Sequence, residues 1–507
     1  MAEIYRRCLI MDTLVVQKKN HAFLHIECDR GISNELSDFF CFFVPGYAFI
    51  PSFKNKMWDG KIRLWDSRKN ELPVGLFKYL EEFCKSRDYA LEVKFNNYYG
   101  SPGASYDVDM SFIKDCTFTS RGEVIEHRDF QLDAVHHAIR TKNSLLLSPT
   151  ASGKSLIIYT MLRHYMKNYD KDILIVVPTT ALVAQMYDDF SDYSTHDRGF
   201  DVEELCHKIY GGKDKFIKKK ILISTWQSIY NLQTPWFARF GMGIVDECHT
   251  AKAKSLSSIM SKLKEAEYRL GTTGTIGGEH THKLQLEGMF GPVFKVTTTK
   301  TLMDQGHISA LDINVLLLKY GDDECREVVK MDYQAEINYI IEHEKRNKFL
   351  TNLAVDQEGN TLVLFQRIKH GKLLHEMIQE KARRGRKIFF VSGATDVDTR
   401  EMVRKITETE KDAVIVASLQ VFSTGVNIRN LHNVIFAAPS KSQIKILQSI
   451  GRSLRIADNG QTAMLFDVAD DFHWKSKKNY TLNHAGVRIA VYAKEKFTYN
   501  IYEVEFK

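Results

Sequence analysis

Proline is scarce in this sequence, nine in 507 residues, and no low-complexity tract accompanies it. That argues against long disordered stretches. Long apolar runs are also missing. ILIVVP at 173–178 is among the longest, and it is strand-sized, far short of the roughly 20 residues a membrane span needs. The opening MAEIYRRCLIMDTLVV sets Asp12 inside its apolar run, which argues against a secretory signal. Eight cysteines are scattered with no CxxC pair and no ligand-like spacing. The expectation is reduced thiols in a cytosol. Charge of neither sign dominates: the net +7 permits a polyanionic partner without demonstrating one. What is present is an ordinary globular balance, 44% hydrophobic and 26% charged, in a chain long enough for about three domains.

Residues 1–98 hold short strand-like and helix-like pieces, a small α+β module. AFLHIEC (22–28) reads as a strand, and SNELSDFFCFF (33–43) as a helix capped by Ser33. Asp59-Gly60 in WDGKIRLW signals a tight turn between two strands. LFKYLEEFCKSRDY (76–89) reads as an amphipathic helix. From about 121, β-rich runs alternate with helical stretches in two successive series. This predicts two tandem α/β domains with parallel sheets, 99–304 and 305–507, the second with a C-terminal helix. Only architecture repeats, not sequence.

In SPTASGKS (148–155) a strand runs through Gly153, Lys154 and Ser155 into a helix. Helix N-terminal N–H groups favour phosphate. The loop residues Thr150, Ala151, Ser152 and Gly153 would wrap the phosphates. Lys154 would reach the β and γ phosphates of ATP, and Ser155 would ligate Mg²⁺. Ser148 replaces the usual first glycine, which is tolerable where the backbone needs no positive φ. IVDECH (244–249) adds Asp246 for the metal, through water, and Glu247 as the base that orients water. In QSIGRSLR (448–455), Arg452 and Arg455 share a helix face. Taken alone they read as a solvated basic face; with the other two motifs present they read as arginine fingers.

SPTASGKS, PTTALVAQ, STWQS, DECH, TTGT, STGVN and QSIGRSLR follow one another in the order seen in superfamily 2 helicases and translocases, which the chain resembles over 128–455. The resemblance implies two RecA-like domains with ATP in their shared cleft and nucleic acid across their tops. It assigns Gln131 to the adenine, with Arg128 and Phe130 at the pocket edge. It places Gln448 with the two arginines in the catalytic set. Gly425 would couple nucleotide to strand binding, and Thr272 and Thr275 would link hydrolysis to domain movement. Contacts to the nucleic-acid backbone carry over to Thr179, Thr180, Gly212, Thr225, Gln227, Ser418 and Thr424. TTGT departs from the Ser-Ala-Thr of many RNA helicases, which weakens an RNA-only reading.

GYAFIPSFKNKMWDGKIRLWD (46–66), LPVGLFKYLEEFC (72–84), GMFGPVFKVTTTKTLMDQGHI (288–308) and YAKEKFTYN (492–500) narrow the likeness to tailed-phage recombination helicases. That implies a monomeric motor in the host cytoplasm. It would migrate Holliday junctions, regress forks and strip RNA from R-loops. Single-stranded-DNA-binding or recombination proteins are candidate partners. The rivals are a double-stranded DNA translocase, an RNA helicase and a non-enzymatic ATP-gated clamp. In the first module, Lys54, Lys56, Lys61 and Arg63 interleave with Trp58 and Trp65, either as a strand-binding surface or as a solvated face over core tryptophans. GGEHTH (277–282) reads as a flexible loop in preference to a metal site. KARRGRK (381–387) and FIKKK (216–220) read as solvated charge.

Overall fold

The computed structural model describes residues 13–44, 46–94, 108–149, 151–250, 253–274, 276, 280–306, 311–393, 395, 402–403, 406, 409–419, 431–438, 463–494 and 497–506. The chain divides into two units, Met1–Thr297 and Thr298–Lys507. Among the described residues no helix is long and apolar enough to cross a membrane.

The first unit carries two sheets. The smaller has the strand order Glu71–Pro73, Phe23–Glu27, Thr13–Lys18, Ala90–Lys94. Alternate residues of Thr13–Lys18 are buried, so Leu14 and Val16 face one core. The helices Arg30–Phe39 and Phe77–Arg87 cover that face through Ile32, Leu36, Leu80 and Phe83. The first helix is capped by Asp29, which accepts the Ile32 N–H. Ser33, expected as the cap, lies inside the helix, where its hydroxyl accepts the Trp65 indole N–H at 3.3 Å. The Asp59-Gly60 turn does not join neighbouring strands either. Pro51 opens a helical turn at Pro51–Lys54, and Lys61–Arg63 pairs back to Cys41–Phe43.

This module is welded to the rest of its unit. A Cβ on Gly75 would fall 1.8 Å from the Glu287 carbonyl oxygen, so only glycine permits the approach. Beside it the Tyr79 hydroxyl donates to Glu287 Oε2 at 2.6 Å, and Leu284 completes the module's apolar core.

The larger sheet is parallel throughout, in the order Cys206–Ile209, Ile221–Thr225, Asp172–Val177, Phe240–Val245, Tyr268–Thr273, Asn143–Leu147, Val293–Lys295. Helices on both faces explain its continuous apolar runs. Lys154–Asn168 and Thr180–Tyr193 pack one face, and Ala253–Lys262 and His280–Phe290 the other.

The second unit has a parallel sheet in the order Lys387–Val391, Ala413–Ser418, Thr361–Phe365, Asn433–Phe436, Ala463–Asp471, Leu311–Lys319, Thr498–Glu505. When strands are numbered in chain order within each parallel sheet, both read 3-4-2-5-6-1-7. The chain therefore holds two RecA-like sheets of one topology behind an N-terminal α+β module. The expected C-terminal helix is Tyr480–Lys494, and the strand Thr498–Glu505 follows it to close the sheet edge.

Candidate active site

The loop after the strand Asn143–Leu147 meets the helix Lys154–Asn168 at the carboxyl end of the first parallel sheet. Ser148 is wholly buried, and its Oγ lies 2.5 Å from Ser152 Oγ. Ser152 Oγ in turn reaches the Pro149 carbonyl at 2.6 Å. Positive φ angles fall on Ala151 (63°) and Gly153 (80°), not on Ser148. The serine therefore meets no conformational demand that only glycine satisfies, and it stitches the loop instead. At Gly153 a Cβ would sit 2.3 Å from Gln131 Nε2. Gln131 donates to the Ser152 carbonyl at 2.8 Å and accepts the Arg128 N–H at 2.9 Å. Arg128 reaches the Ala151 carbonyl at 3.3 Å and lies over the Phe130 ring. The residues expected around adenine thus brace the outer side of the loop. Thr150 lies outside the described residues.

The fully buried strand Phe240–Val245 delivers Asp246 and Glu247 beside this loop. They are only 7% and 6% exposed. Asp246 Oδ1 accepts the Thr272 hydroxyl at 2.5 Å and the Glu247 N–H at 2.9 Å. Glu247 has a left-handed φ of 48°, a costly conformation for a non-glycine residue. Its carboxylate Oε1 lies 3.2 Å from Lys154 Nζ, which also donates to the Ser148 carbonyl at 3.3 Å. His249 Nδ1 sits 2.6 Å from Thr273 Oγ1 and 3.5 Å from Glu247 Oε2, tying the acidic motif to TTGT.

Two neighbours escaped sequence reasoning. Tyr193 OH lies 2.9 Å from Ser155 Oγ. Asp189 also bonds Ser155; burial foremost lifts its carboxyl to about 6, opposed by that bond and aided by the charges of Asp192, Asp188 and Asp246. Three aspartates crowd this helix at 188, 189 and 192, and packing alone singles out one. Ser155 and Asp246 supply hard oxygen donors, and Lys154 supplies a cation at an N-terminus whose first N–H groups point outward. That donor set fits a nucleotide phosphate with Mg²⁺. Among the described residues no group of three or more His, Cys, Asp or Glu side chains is arranged to hold a metal by itself. Residues 277–279 and the side chains of His280 and His282 lie outside them.

The predicted nucleic-acid contacts of the first unit, Thr179, Thr180, Gly212, Thr225 and Gln227, lie at or just beyond the carboxyl ends of its parallel strands. Thr179 caps the helix Thr180–Tyr193, accepting the Leu182 N–H at 3.3 Å, and Thr180 is exposed. Thr225 pairs in register with Val177, and Gln227 reaches the Pro178 carbonyl at 3.4 Å. Gly212 lies on an exposed turn with φ 86°. Ser418 ends its strand in the second unit and is buried. Thr275, Thr424, Gly425, Gln448, Arg452 and Arg455 lie outside the described residues.

In the N-terminal module the two tryptophans part ways. Trp65 is core, whereas Trp58 is half-buried and donates to the Lys61 carbonyl at 2.9 Å. Lys54 and Lys56 are exposed, Lys61 lies 4.9 Å from the Phe43 ring centroid, and Arg63 is ion-paired with Asp59. KARRGRK is not merely solvated charge. The Arg386 side chain is only 1% exposed and donates to the Val355 and Gln357 carbonyls, each at 2.8 Å, while pairing with Asp412.

Comparison with known proteins agrees with this layout. Residues 13–94 match the family "DNA helicase UvsW, N-terminal". Residues 124–277 match "Type III restriction enzyme, res subunit", and 344–457 match "Helicase conserved C-terminal domain". The ATP-dependent DNA helicase uvsW of Enterobacteria phage T4 is 37% identical over 500 residues, covering 94% of this chain and 97% of that one. The crystal structure of T4 UvsW aligns with a TM-score of 0.51 at 34% identity, covering 97% and 99%. A fragment of a putative HsdR subunit of a type I restriction enzyme from Vibrio vulnificus shares the fold, with TM-score 0.57 at 17% identity over 79% and 72%.

Proposed function

The chain belongs to the superfamily 2 DNA helicases of the UvsW type, and we propose that it remodels branched DNA, migrating Holliday junctions, regressing forks and unwinding RNA–DNA hybrids such as R-loops. It works as a Mg²⁺-dependent monomer in the host bacterial cytoplasm, alongside single-stranded-DNA-binding or recombination proteins. The observation that carries the ATP-driven part of the reading is the Lys154–Glu247 pair, 3.2 Å apart with side chains 10% and 8% exposed, beside Asp246 at the end of a parallel sheet; the branched-DNA part rests on the likeness to the uvsW helicase.

The residues divide the work as follows. Lys154 exchanges Glu247 for the β and γ phosphate oxygens, and the loop 150–153 closes around them. Ser155 and Asp246 would hold Mg²⁺, which would neutralise phosphate charge. Glu247, released from Lys154, orients the attacking water and takes its proton. Arg452, Arg455 and Gln448 stabilise charge on the transferring phosphoryl group. Arg128, Phe130 and Gln131 recognise the base, moving from the loop they brace. Thr272 feels the site directly, because its hydroxyl donates to Asp246; with Thr275 and Gly425 it relays phosphate loss to the strand grips. Those grips are Thr179, Thr180, Gly212, Thr225, Gln227, Ser418 and Thr424, with Lys54, Lys56, Lys61 and Arg63 in the N-terminal module.

Steady-state ATPase tests this with equal nucleotide amounts of four-way junction, fork, linear duplex, single-stranded DNA and single-stranded RNA. Greatest stimulation by junctions and forks is expected. Equal stimulation by linear duplex would instead favour a plain double-stranded DNA translocase, the alternative supported by the restriction-subunit match over 124–277. Stimulation by RNA alone would favour an RNA helicase.

A further inference from the structure

Between the helical turn Pro51–Lys54 and the strand Lys61–Arg63 the chain bends at Lys56, whose φ of 55° is left-handed. A lysine holds that conformation only when its surroundings enforce it. Here the Lys56 N–H donates to the Phe53 carbonyl at 2.9 Å and the Met57 N–H to the Ser52 carbonyl at 2.8 Å. The bend pushes Met57 into solvent, 80% exposed, while Phe49 nearby in sequence is 81% exposed. Exposing large apolar side chains this fully in one short segment is unfavourable unless something covers them.

Beside the bend lies an open groove of about 620 Å³, lined by Ala48, Phe53, Lys54, Lys56, Met57 and Trp58. Its walls are held in place. Tyr47 stacks on Phe43 with centroids 4.7 Å apart and meets Phe53 edge-on at 4.8 Å. Trp58 is fastened through its indole N–H to the Lys61 carbonyl. The groove's one acidic wall residue, Asp59, is paired with Arg63. Among the described residues Lys54 and Lys56 enter no ion pair, so the rim keeps two uncompensated cations.

An apolar, partly aromatic floor under a cationic rim suits a nucleotide whose base is exposed. Intact duplex offers phosphates but keeps its base faces stacked inside, so it could engage the rim and not the floor. We propose that this groove seats an unpaired nucleotide where DNA strands part, with the base against Phe53, Met57 and Trp58 and its phosphates at Lys54 and Lys56. The inference rests on the reading of the chain as a helicase of branched DNA. It gives the N-terminal module a means of distinguishing a fork from plain duplex.

The test uses the full chain and a forked DNA carrying 5-iodouracil at the first unpaired position, or at a paired position in an arm. After irradiation the cross-linked peptides are mapped. The expected result is cross-linking to Phe53, Met57 or Trp58 from the unpaired position, several-fold above the paired one. A Lys56→Gln/Met57→Ala double variant should bind the intact fork about tenfold more weakly, with little further loss when that nucleotide is abasic. Cross-links confined to residues outside 46–60, or equal yields from both positions, would overturn the assignment. So would equally tight wild-type binding of intact and abasic forks, since the groove would then be reading phosphate or the acidic side chains of a protein. Wild-type ATPase is measured on the same fork. Absent stimulation overturns the branched-DNA reading and the groove with it; stimulation without the expected cross-link overturns the groove alone.

Discussion

The two parallel sheets share one strand order, and the loops after their first strands are opposites. In the first unit that loop ends in Gly153-Lys154-Ser155, leaving the helix N-terminus to an outside anion. In the second, the strand Leu311–Lys319 leads into a helix with Asp322, Asp323 and Glu324 in its first turn. Glu324 accepts the Gly321 N–H at 3.3 Å and meets His343 at 2.8 Å. The second unit fills its own N-terminus with carboxylates, which would repel phosphate. Among the described residues the two sheets therefore carry opposite charge at these helix N-termini, and chemistry follows the residues at the strand ends, not the topology.

Buried charge differs in the same way. In the second unit the wholly buried Arg346 and Arg488 face Asp470 and Asp467 on one strand, at 2.7 and 2.8 Å. The hydroxyls of Tyr320 and Tyr492 close on the same carboxylates, both at 2.7 Å. Those pairs fasten helix to sheet. In the first unit buried Arg269 is satisfied by the carbonyls of Met260, Leu263 and Met289, and the pair at the sheet end, Lys154–Glu247, joins two loops instead of a helix and a strand interior.

The largest effect that would sharpen this contrast is on turnover. Lys154→Ala should lower DNA-stimulated ATPase about 10²- to 10³-fold, the scale of losing one donor aimed at developing charge. Normal stimulated turnover in that variant would sink the assignment of the site. Arg346→Met should destabilise the second unit by about 3–5 kcal/mol in a denaturant titration, because Asp470 is left buried and unpaired. A loss below about 1 kcal/mol would mean that the pair is not the fastening described.

Acid should separate the units more gradually. Burial, chiefly, lowers His21 to about 3 and His127 and His164 to about 4 in the first unit, and His370 to about 3 in the second. Between these values and about 6.5 the unfolded chain binds more protons than the folded one. Stability from these groups is therefore complete above about pH 6.5 and falls as pH drops toward 4. Hydrogen exchange at pH 5 against pH 7 should show the greater loss of protection within 1–297. The smallest effect expected is from Asp323→Asn: below about 1 kcal/mol on melting, as suits one exposed helix-terminal charge, with ATPase unchanged. A clear rise in nucleotide affinity in that variant would break the contrast between the loops.

Much of this was legible in the sequence because the relevant forces are local. Apolar runs such as DILIVV mark strands buried on both faces, and Phe77–Arg87 follows a helical apolar stripe. SPTASGKS shows its role through the residue types a phosphate needs, in order, between a strand and a helix. Where local signals competed, the reading slipped. Asp29 displaced Ser33 as the cap, and Pro51 turned the residues before Asp59 into a helical turn instead of a hairpin strand.

The order of motifs by itself therefore determined that this chain is a tandem RecA-like ATPase with an added N-terminal module. Tertiary structure alone decided what depends on residues distant in sequence. It buried Trp65 while leaving Trp58 at the edge of a groove, and it brought Asp189 and Tyr193 to Ser155. It turned Arg386 inward to carbonyls 27 to 32 positions away. The physical reason is that burial and pairing are properties of neighbours in space, and no periodicity along the chain records which aspartate or which tryptophan packing will enclose.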